Sequence, residues 1–145
     1  MIEQQAHAVW QGGLKEGSGS FSAGSLAGKY SFSSRFEGGA GSSPEELIAA
    51  AHASCFSMAL SLFLGAQGHI PDTIETTATV YLDPQRLVIA RIELETEAEV
   101  RSLSDSAFQA CAEQAKKNCP VSKALSGVEI LLKSAKLKHM SMERA

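Results

Sequence analysis

Three cysteines could carry chemistry in this chain: Cys55, Cys111 and Cys119. Thiolates are nucleophiles and metal ligands, so each has to be weighed by its surroundings. Cys119 stands before Pro120, where a helix would begin. A thiol there faces free backbone N–H groups, and Lys116, Lys117 and Lys123 lie nearby in sequence. Both favour thiolate. The same residue also reads as an ordinary buried cysteine before a proline, which is the commoner case. Cys55 falls mid-helix, far from any helix end, and would need a cationic partner such as Arg35. Cys111 occupies a plain helical position and reads as a core residue.

His52 precedes Cys55 by three residues, which puts the two on neighbouring helical surface. With Cys119 they could form part of a zinc site. Zinc sites normally show two paired motifs, however, and this chain has one H-x-x-C alone, so a satisfied core histidine is the favoured reading. Glu45 and Glu46 differ by position. Glu46 sits three residues after Ser43 and completes a capping box, whereas Glu45 has no capping task and is the better candidate for chemistry.

These groups hang on one organising segment, Ser43–Leu64. Ser43 caps it, Pro44 suits the first helical position, and from Leu47 on it is apolar on every side except for His52 and three serines. A helix apolar all round should be buried all round. As a membrane span it would have the minimum length, but it holds His52 mid-span, is rich in Ala and Ser, and lacks a Lys/Arg flank. A soluble chain with no membrane partner is expected. The Gly-rich loop Glu37–Ser43 before it lacks a Walker lysine and runs into Glu45-Glu46, which excludes a phosphate loop and leaves a flexible connection.

The elements that must position the segment alternate in type. Gln5–Trp10, Gly17–Phe21 and Tyr30–Phe36 read as strands, the last with Phe32 and Phe36 on one face and Arg35 on the other. Thr73–Leu82 and Leu87–Val100 read as two long strands around an Asp83-Pro84-Gln85 turn, with Glu93, Glu95, Glu97 and Glu99 on one wet face. A helix runs from Ser104 or Asp105 to about Lys117, with Phe108, Cys111 or Ala112, and Ala115 inside. A short turn from Pro120 to Ser126 and a strand Val128–Leu137 follow, and His139–Ala145 reads as a loose tail. The order is βββ-α-ββ-α-β, an α+β fold in a single domain over residues 1–145. One sheet covers only one side of an all-apolar helix, so a second copy of the chain is expected to cover the rest.

The 145 residues carry a net charge of −3, so no nucleic-acid partner is implied. Met1-Ile-Glu-Gln-Gln has neither the basic nor the apolar region of a signal peptide. With an odd number of cysteines, the expected setting is a reducing one, the cytoplasm.

Four stretches together resemble the OsmC/Ohr family of thiol-dependent peroxidases, specifically its osmotically inducible OsmC branch. They are Arg35-Phe36-Glu37-Gly38, Pro44-Glu45-Glu46-Leu47, Ala51-His52-Ala53-Ser54-Cys55-Phe56-Ser57-Met58-Ala59-Leu60, and Asn118-Cys119-Pro120-Val121-Ser122. The resemblance runs from about Ala6 to Leu137. It implies an OsmC-like fold, antiparallel sheets packed around central buried helices, in an intertwined homodimer with active sites at the subunit interface. It implies that Cys55 is the peroxidatic cysteine, Cys119 the resolving cysteine, and Arg35 and Glu45 the charged pair that activates the thiolate. No cofactor or metal is implied. The partners implied are a hydroperoxide substrate, organic in preference to hydrogen peroxide, and a dithiol reductant, lipoyl-type or another thiol, in oxidative or osmotic stress defence. The apolar residues Phe56, Met58, Leu60, Leu62 and Phe63 are expected to be mostly core, some lining a substrate pocket with Phe36. The alternative is a zinc-binding or small-apolar-ligand-binding dimer on the same fold.

Overall fold

The computed structural model describes residues 1–138, and the tail His139–Ala145 lies outside them. The chain forms two compact units, Met1–Leu47 and the residues from Ile48 on.

The first unit is a meander of β1 (His7–Gln11), β2 (Ser18–Ala23) and β3 (Leu26–Tyr30), all antiparallel. Its aromatic residues stack across the strands, Trp10 on Tyr30 at 5.5 Å between ring centroids and Phe21 on Tyr30 at 6.2 Å. Two strand glycines make room for these rings: a Cβ on Gly19 would lie 2.5 Å from the Tyr30 ring, and one on Gly28 equally close to Phe21. A third strand expected through Phe36 stops at Tyr30. Phe32–Phe36 is instead a short helix, α1. Ser31 starts it with a reciprocal capping box, its hydroxyl accepting the Ser34 N–H while the Ser34 hydroxyl accepts the Ser31 N–H. Phe32 and Phe36 still share a face, at i and i+4, with rings 4.9 Å apart.

The glycine-rich loop is pinned rather than free. The Ser42 N–H bonds the Lys29 carbonyl at 2.8 Å, and the Ser34 hydroxyl bonds the Ser42 carbonyl at 2.6 Å. Gly41 takes a φ of 112°, and a Cβ there would sit 2.9 Å from the Lys29 carbonyl oxygen, so only glycine allows this approach. The loop delivers the chain to α2 (Pro44–Ala66), whose first turn is capped by Ser43 Oγ accepting the Glu46 N–H at 3.1 Å.

The second unit holds β4 (Thr73–Asp83), β5 (Val88–Glu99), α3 (Asp105–Asn118), α4 (Pro120–Ala124) and β6 (Glu129–Leu137). Sheet order is β4-β5-β6. β4 and β5 form a long antiparallel hairpin, but β6 returns beside β5 in parallel, so this sheet is mixed rather than antiparallel throughout. The α3–α4 crossover is what permits the parallel return. Leu87, expected to open β5, adopts a φ of 55° in the turn, and pairing with β4 begins at Val88.

Alternation along β5 is clean: Ile92, Leu94, Thr96, Ala98 and Val100 are buried, and the glutamates between them are half-buried. That buried row meets Phe56, Leu60 and Leu64 of α2 and Phe108, Cys111, Ala112 and Ala115 of α3 in one core. Ser57 of α2 is tied to the sheet through Thr76, and Thr76 in turn to Thr96, at 2.8 and 3.0 Å.

α2 is not buried all round in the single chain. Its i, i+4 row is sealed, while Met58 and Leu62 are 76% and 66% exposed. It is long and apolar enough to cross a membrane, and its buried row, Phe56, Leu60 and Leu64, packs in the core of the second unit. Phe108→Ala is expected to cost about 3–5 kcal/mol, because the ring is wholly enclosed and the cavity would not close. Urea unfolding at fixed protein concentration measures this, and a loss under about 1 kcal/mol would mean that α3 is not seated as described.

Candidate active site

The expected site residues fall into two pairs, one in each unit. In the first unit, α1 carries Arg35 in its last turn and the pinned loop carries Glu45 into the first turn of α2. Their side chains meet as a two-point fork, Arg35 Nε donating to Glu45 Oε1 at 3.0 Å and a terminal nitrogen donating to Oε2 at 2.8 Å. Glu45 is 8% exposed, whereas Glu46 next to it faces solvent. The carboxylate holds the Arg35 guanidinium above its ordinary value, first by the hydrogen bonds and then by charge. The guanidinium also lies 5.3 Å from the centroid of the Phe36 ring. The fork fixes a planar cation, part open to solvent, in one orientation.

In the second unit, α2 carries Cys55 and the start of α4 carries Cys119. Both are free thiols. Cys119 is fully buried and serves as the N-cap of α4, its sulfur accepting the Ser122 N–H at 3.4 Å. Pro120 follows at the first helical position, which needs no N–H. Burial, then the hydrogen bond and charge of the neighbouring Cys119, push the Cys55 thiol up, and the Val121 N–H pulls it down. Among the described residues no cationic side chain is one of the groups acting on Cys55. Cys111 is sealed in the core, and burial alone raises its thiol, which leaves it a structural residue.

His52 is wholly buried, with Nε2 at 2.8 Å from Ser122 Oγ. Burial holds its protonation down. Among the described residues no three His, Cys, Asp or Glu side chains gather as metal ligands. Of the apolar residues expected near a substrate, Phe56 and Leu60 are core, Phe63 packs against it, and Met58 and Leu62 are open.

Sequence reasoning assigned no role to Ser122, which touches both His52 and Cys119. The only local signal was its place three residues after a capping cysteine. The link to His52 spans seventy residues and has no sequence pattern.

The arrangement of a small meander, a long core helix bearing one cysteine and a second cysteine capping α4 defines a class. The chain belongs to the OsmC-like protein family, whose model matches residues 37–133. It is 46% identical over 129 residues to Peroxiredoxin OsmC of Escherichia coli, covering 86% of this chain and 90% of that protein. The organic hydroperoxide resistance protein OhrB of Bacillus subtilis is similar in structure, with a TM-score of 0.62 and 26% identity over 92% of this chain and 98% of that one. An OsmC-like protein from Mycoplasma pneumoniae shares the fold at 16% identity, with a TM-score of 0.73 over 94% of this chain and 99% of its own.

Proposed function

We propose that this chain, a peroxidase and so an oxidoreductase by its likeness to Peroxiredoxin OsmC, reduces organic hydroperoxides, and hydrogen peroxide more weakly, through Cys55 and Cys119. The observation that carries this reading is a pair of free thiols in one unit, Cys55 half-buried on α2 and Cys119 buried as the N-cap of α4, with Cys119 among the groups that act on Cys55. The Cys55 thiolate attacks the O–O bond and the alcohol leaves with a proton, so Cys55 becomes a sulfenic acid. Cys119 attacks that sulfur, the S–O bond breaks, and water leaves as the disulfide forms. A dithiol, lipoyl-type or another, restores both thiols by exchange. Arg35, held by Glu45, supplies the cation that the Cys55 thiolate needs and a donor for peroxide oxygen.

We read residues 1–145 as one OsmC-like domain, a reading supported by structural matches that span both units. We read the protein as a homodimer, a reading supported by the open Met58 and Leu62 of α2 and by Val9, Trp10 and Leu26, exposed on the meander. Free thiols fit a reducing cytoplasm and a part in oxidative or osmotic stress defence.

One equivalent of cumene hydroperoxide is expected to convert the reduced protein to an intramolecular Cys55–Cys119 disulfide, read by peptide mapping. A major disulfide containing Cys111 with Cys119 free would defeat the assignment. Peroxide consumption that persists in Cys55→Ser would defeat the mechanism, and stoichiometric zinc in the purified protein would favour a binding module instead.

A further inference from the structure

The core holds a titratable group that the mechanism above does not use. His52 is wholly enclosed, on α2, and its Nε2 meets Ser122 Oγ at 2.8 Å. Ser122, itself 6% exposed, aims both its donors at one sulfur: its N–H lies 3.4 Å and its hydroxyl 3.6 Å from Cys119 Sγ. Cys119 has no exposed surface, so no solvent water meets charge on it. The protein has to supply the donors.

The Ser122 hydroxyl has a single proton, and His52 decides where it points. Burial keeps His52 neutral, with one ring proton. On Nδ1 that proton would have no acceptor among the described residues, a buried donor left unmade. On Nε2 it donates to Ser122 Oγ. The Ser122 proton is then free to lie on Cys119 Sγ. The hydrogen-bond pattern thus assigns the Nε2–H tautomer and a chain running one way, from His52 to Ser122 to Cys119.

We propose that His52 is a positioning residue for the second half of the reaction: it fixes the Ser122 hydroxyl as a donor, so that two hydrogen bonds meet the negative charge on Cys119 Sγ when that sulfur attacks or leaves. This rests on the reading of Cys55 as peroxidatic and Cys119 as resolving. Two steps place an electron pair and negative charge on Cys119. In the first, its thiolate attacks the Cys55 sulfenic sulfur; the S–S bond forms, the S–O bond breaks, and hydroxide leaves with the former thiol proton as water. In the second, a thiolate of the reductant attacks Cys55 Sγ of the disulfide. The S–S bond breaks and Cys119 departs with the pair. The second thiol of the reductant then expels Cys55 as its thiolate, leaving the reductant oxidised. Attack of Cys55 on peroxide puts no charge on Cys119 and makes no demand on this chain of donors.

The test separates those steps in the full-length protein. Reduced wild type, Ser122→Ala, His52→Leu and His52→Gln each receive one equivalent of cumene hydroperoxide. Quenched samples are alkylated, with dimedone to trap the sulfenic acid, and loss of the Cys55 thiol and gain of the disulfide are timed separately by mass spectrometry. Disulfide formation is expected to slow about tenfold against Cys55 oxidation in Ser122→Ala and His52→Leu, the effect of one lost hydrogen bond to a charged sulfur. The sulfenic acid should accumulate accordingly. His52→Gln keeps an N–H near the Nε2 position and should recover most of the rate, which a purely structural role would not require. If wild type closes the disulfide and Ser122→Ala closes it equally fast, the proposal is overturned while the peroxidase reading stands. If all variants slow in both steps together and Gln rescues nothing, His52 is a packing residue and the proposal is overturned. If wild type forms no Cys55 sulfenic acid, the reading beneath it fails as well. Should His52→Leu not fold, Ser122→Ala, a smaller change, decides alone.

Discussion

Arg35→Ala should slow peroxide reduction at neutral pH by about 10- to 1,000-fold, the range expected when a thiolate loses a cation at close range. The physical reason lies in what surrounds Cys55 within its own unit. Burial and Cys119 disfavour its thiolate, and one backbone N–H, from Val121, favours it. A nucleophile so placed needs a positive charge from elsewhere, and in the proposed mechanism it comes from Arg35, whose guanidinium is held in a two-point fork by Glu45. The sign of the pH dependence follows. Removing the cation raises the Cys55 titration, so the variant is poorest at low pH and approaches wild type as pH rises through the displaced titration. Arg35→Lys keeps the charge and loses the two-point fork, so it should fall between the two. Second-order rates from pH 5 to 10, with the Cys55 thiolate followed by its ultraviolet absorbance, provide the measurement. A rate and a titration both unchanged would remove Arg35 from the mechanism. Thermal unfolding is the control, because Glu45, nearly buried, loses its partner in the variant.

How far the sequence carried this picture depended on the range over which each feature is written. Local features were legible. The Ser43-Pro44 start of α2, a start of α3 at Ser104 or Asp105, an inward row through Phe108, Cys111 or Ala112, and Ala115, and Cys119 as the N-cap of α4 follow from patterns within a few residues; the structure makes Ser104 the cap and buries both Cys111 and Ala112. Glu45 and Glu46 differ as their positions suggest, Glu45 buried and forked to Arg35 and Glu46 exposed, with its N–H on the Ser43 cap. Phe32–Phe36 was misread as strand because apolar residues four apart fit a period of two as well as a helical turn; the Ser31 and Ser34 capping box was the signal that should have decided it. Features set by long-range pairing were not legible. The parallel return of β6 depends on the crossover and not on its own alternation, which suits either direction. Pinning of the glycine loop on Lys29 depends on a carbonyl thirteen residues from Ser42. The His52–Ser122 contact joins two helices, and each residue has an ordinary local explanation. Family membership was written in short motifs and could be read, while the hydrogen bonds around those residues required the fold.

Two inactive variants, Glu45→Ala and Cys55→Ser, should restore activity when mixed as heterodimers. The argument starts from helix geometry. Ten positions along a straight helix span about 15 Å and turn the side chain by roughly 80°, so a glutamate at one and a cysteine at the other cannot serve one thiolate from the same helix. If α2 packs antiparallel on its twofold copy, the start of one helix approaches the middle of the other, and the open Met58 and Leu62 are covered at the same time. Each site would then take Cys55 from one chain and Glu45 from its partner. In a heterodimer one site carries both lesions and the other carries neither, so up to half of the activity per dimer should return. The Arg35–Glu45 fork within one chain supplies a sharper contrast. If the two residues of that fork act together from the same chain, Arg35→Ala mixed with Glu45→Ala should recover nothing, as each site of that heterodimer has lost one member of its fork. Arg35→Ala mixed with Cys55→Ser should recover as Glu45→Ala does. Differently tagged variants, co-purified through both tags and weighed by native mass spectrometry, establish that heterodimers form before rates are compared. Recovery in neither cysteine mixture would place Glu45 and Cys55 in one chain's site, and recovery in the Arg35–Glu45 mixture would mean that the fork is not the functional unit.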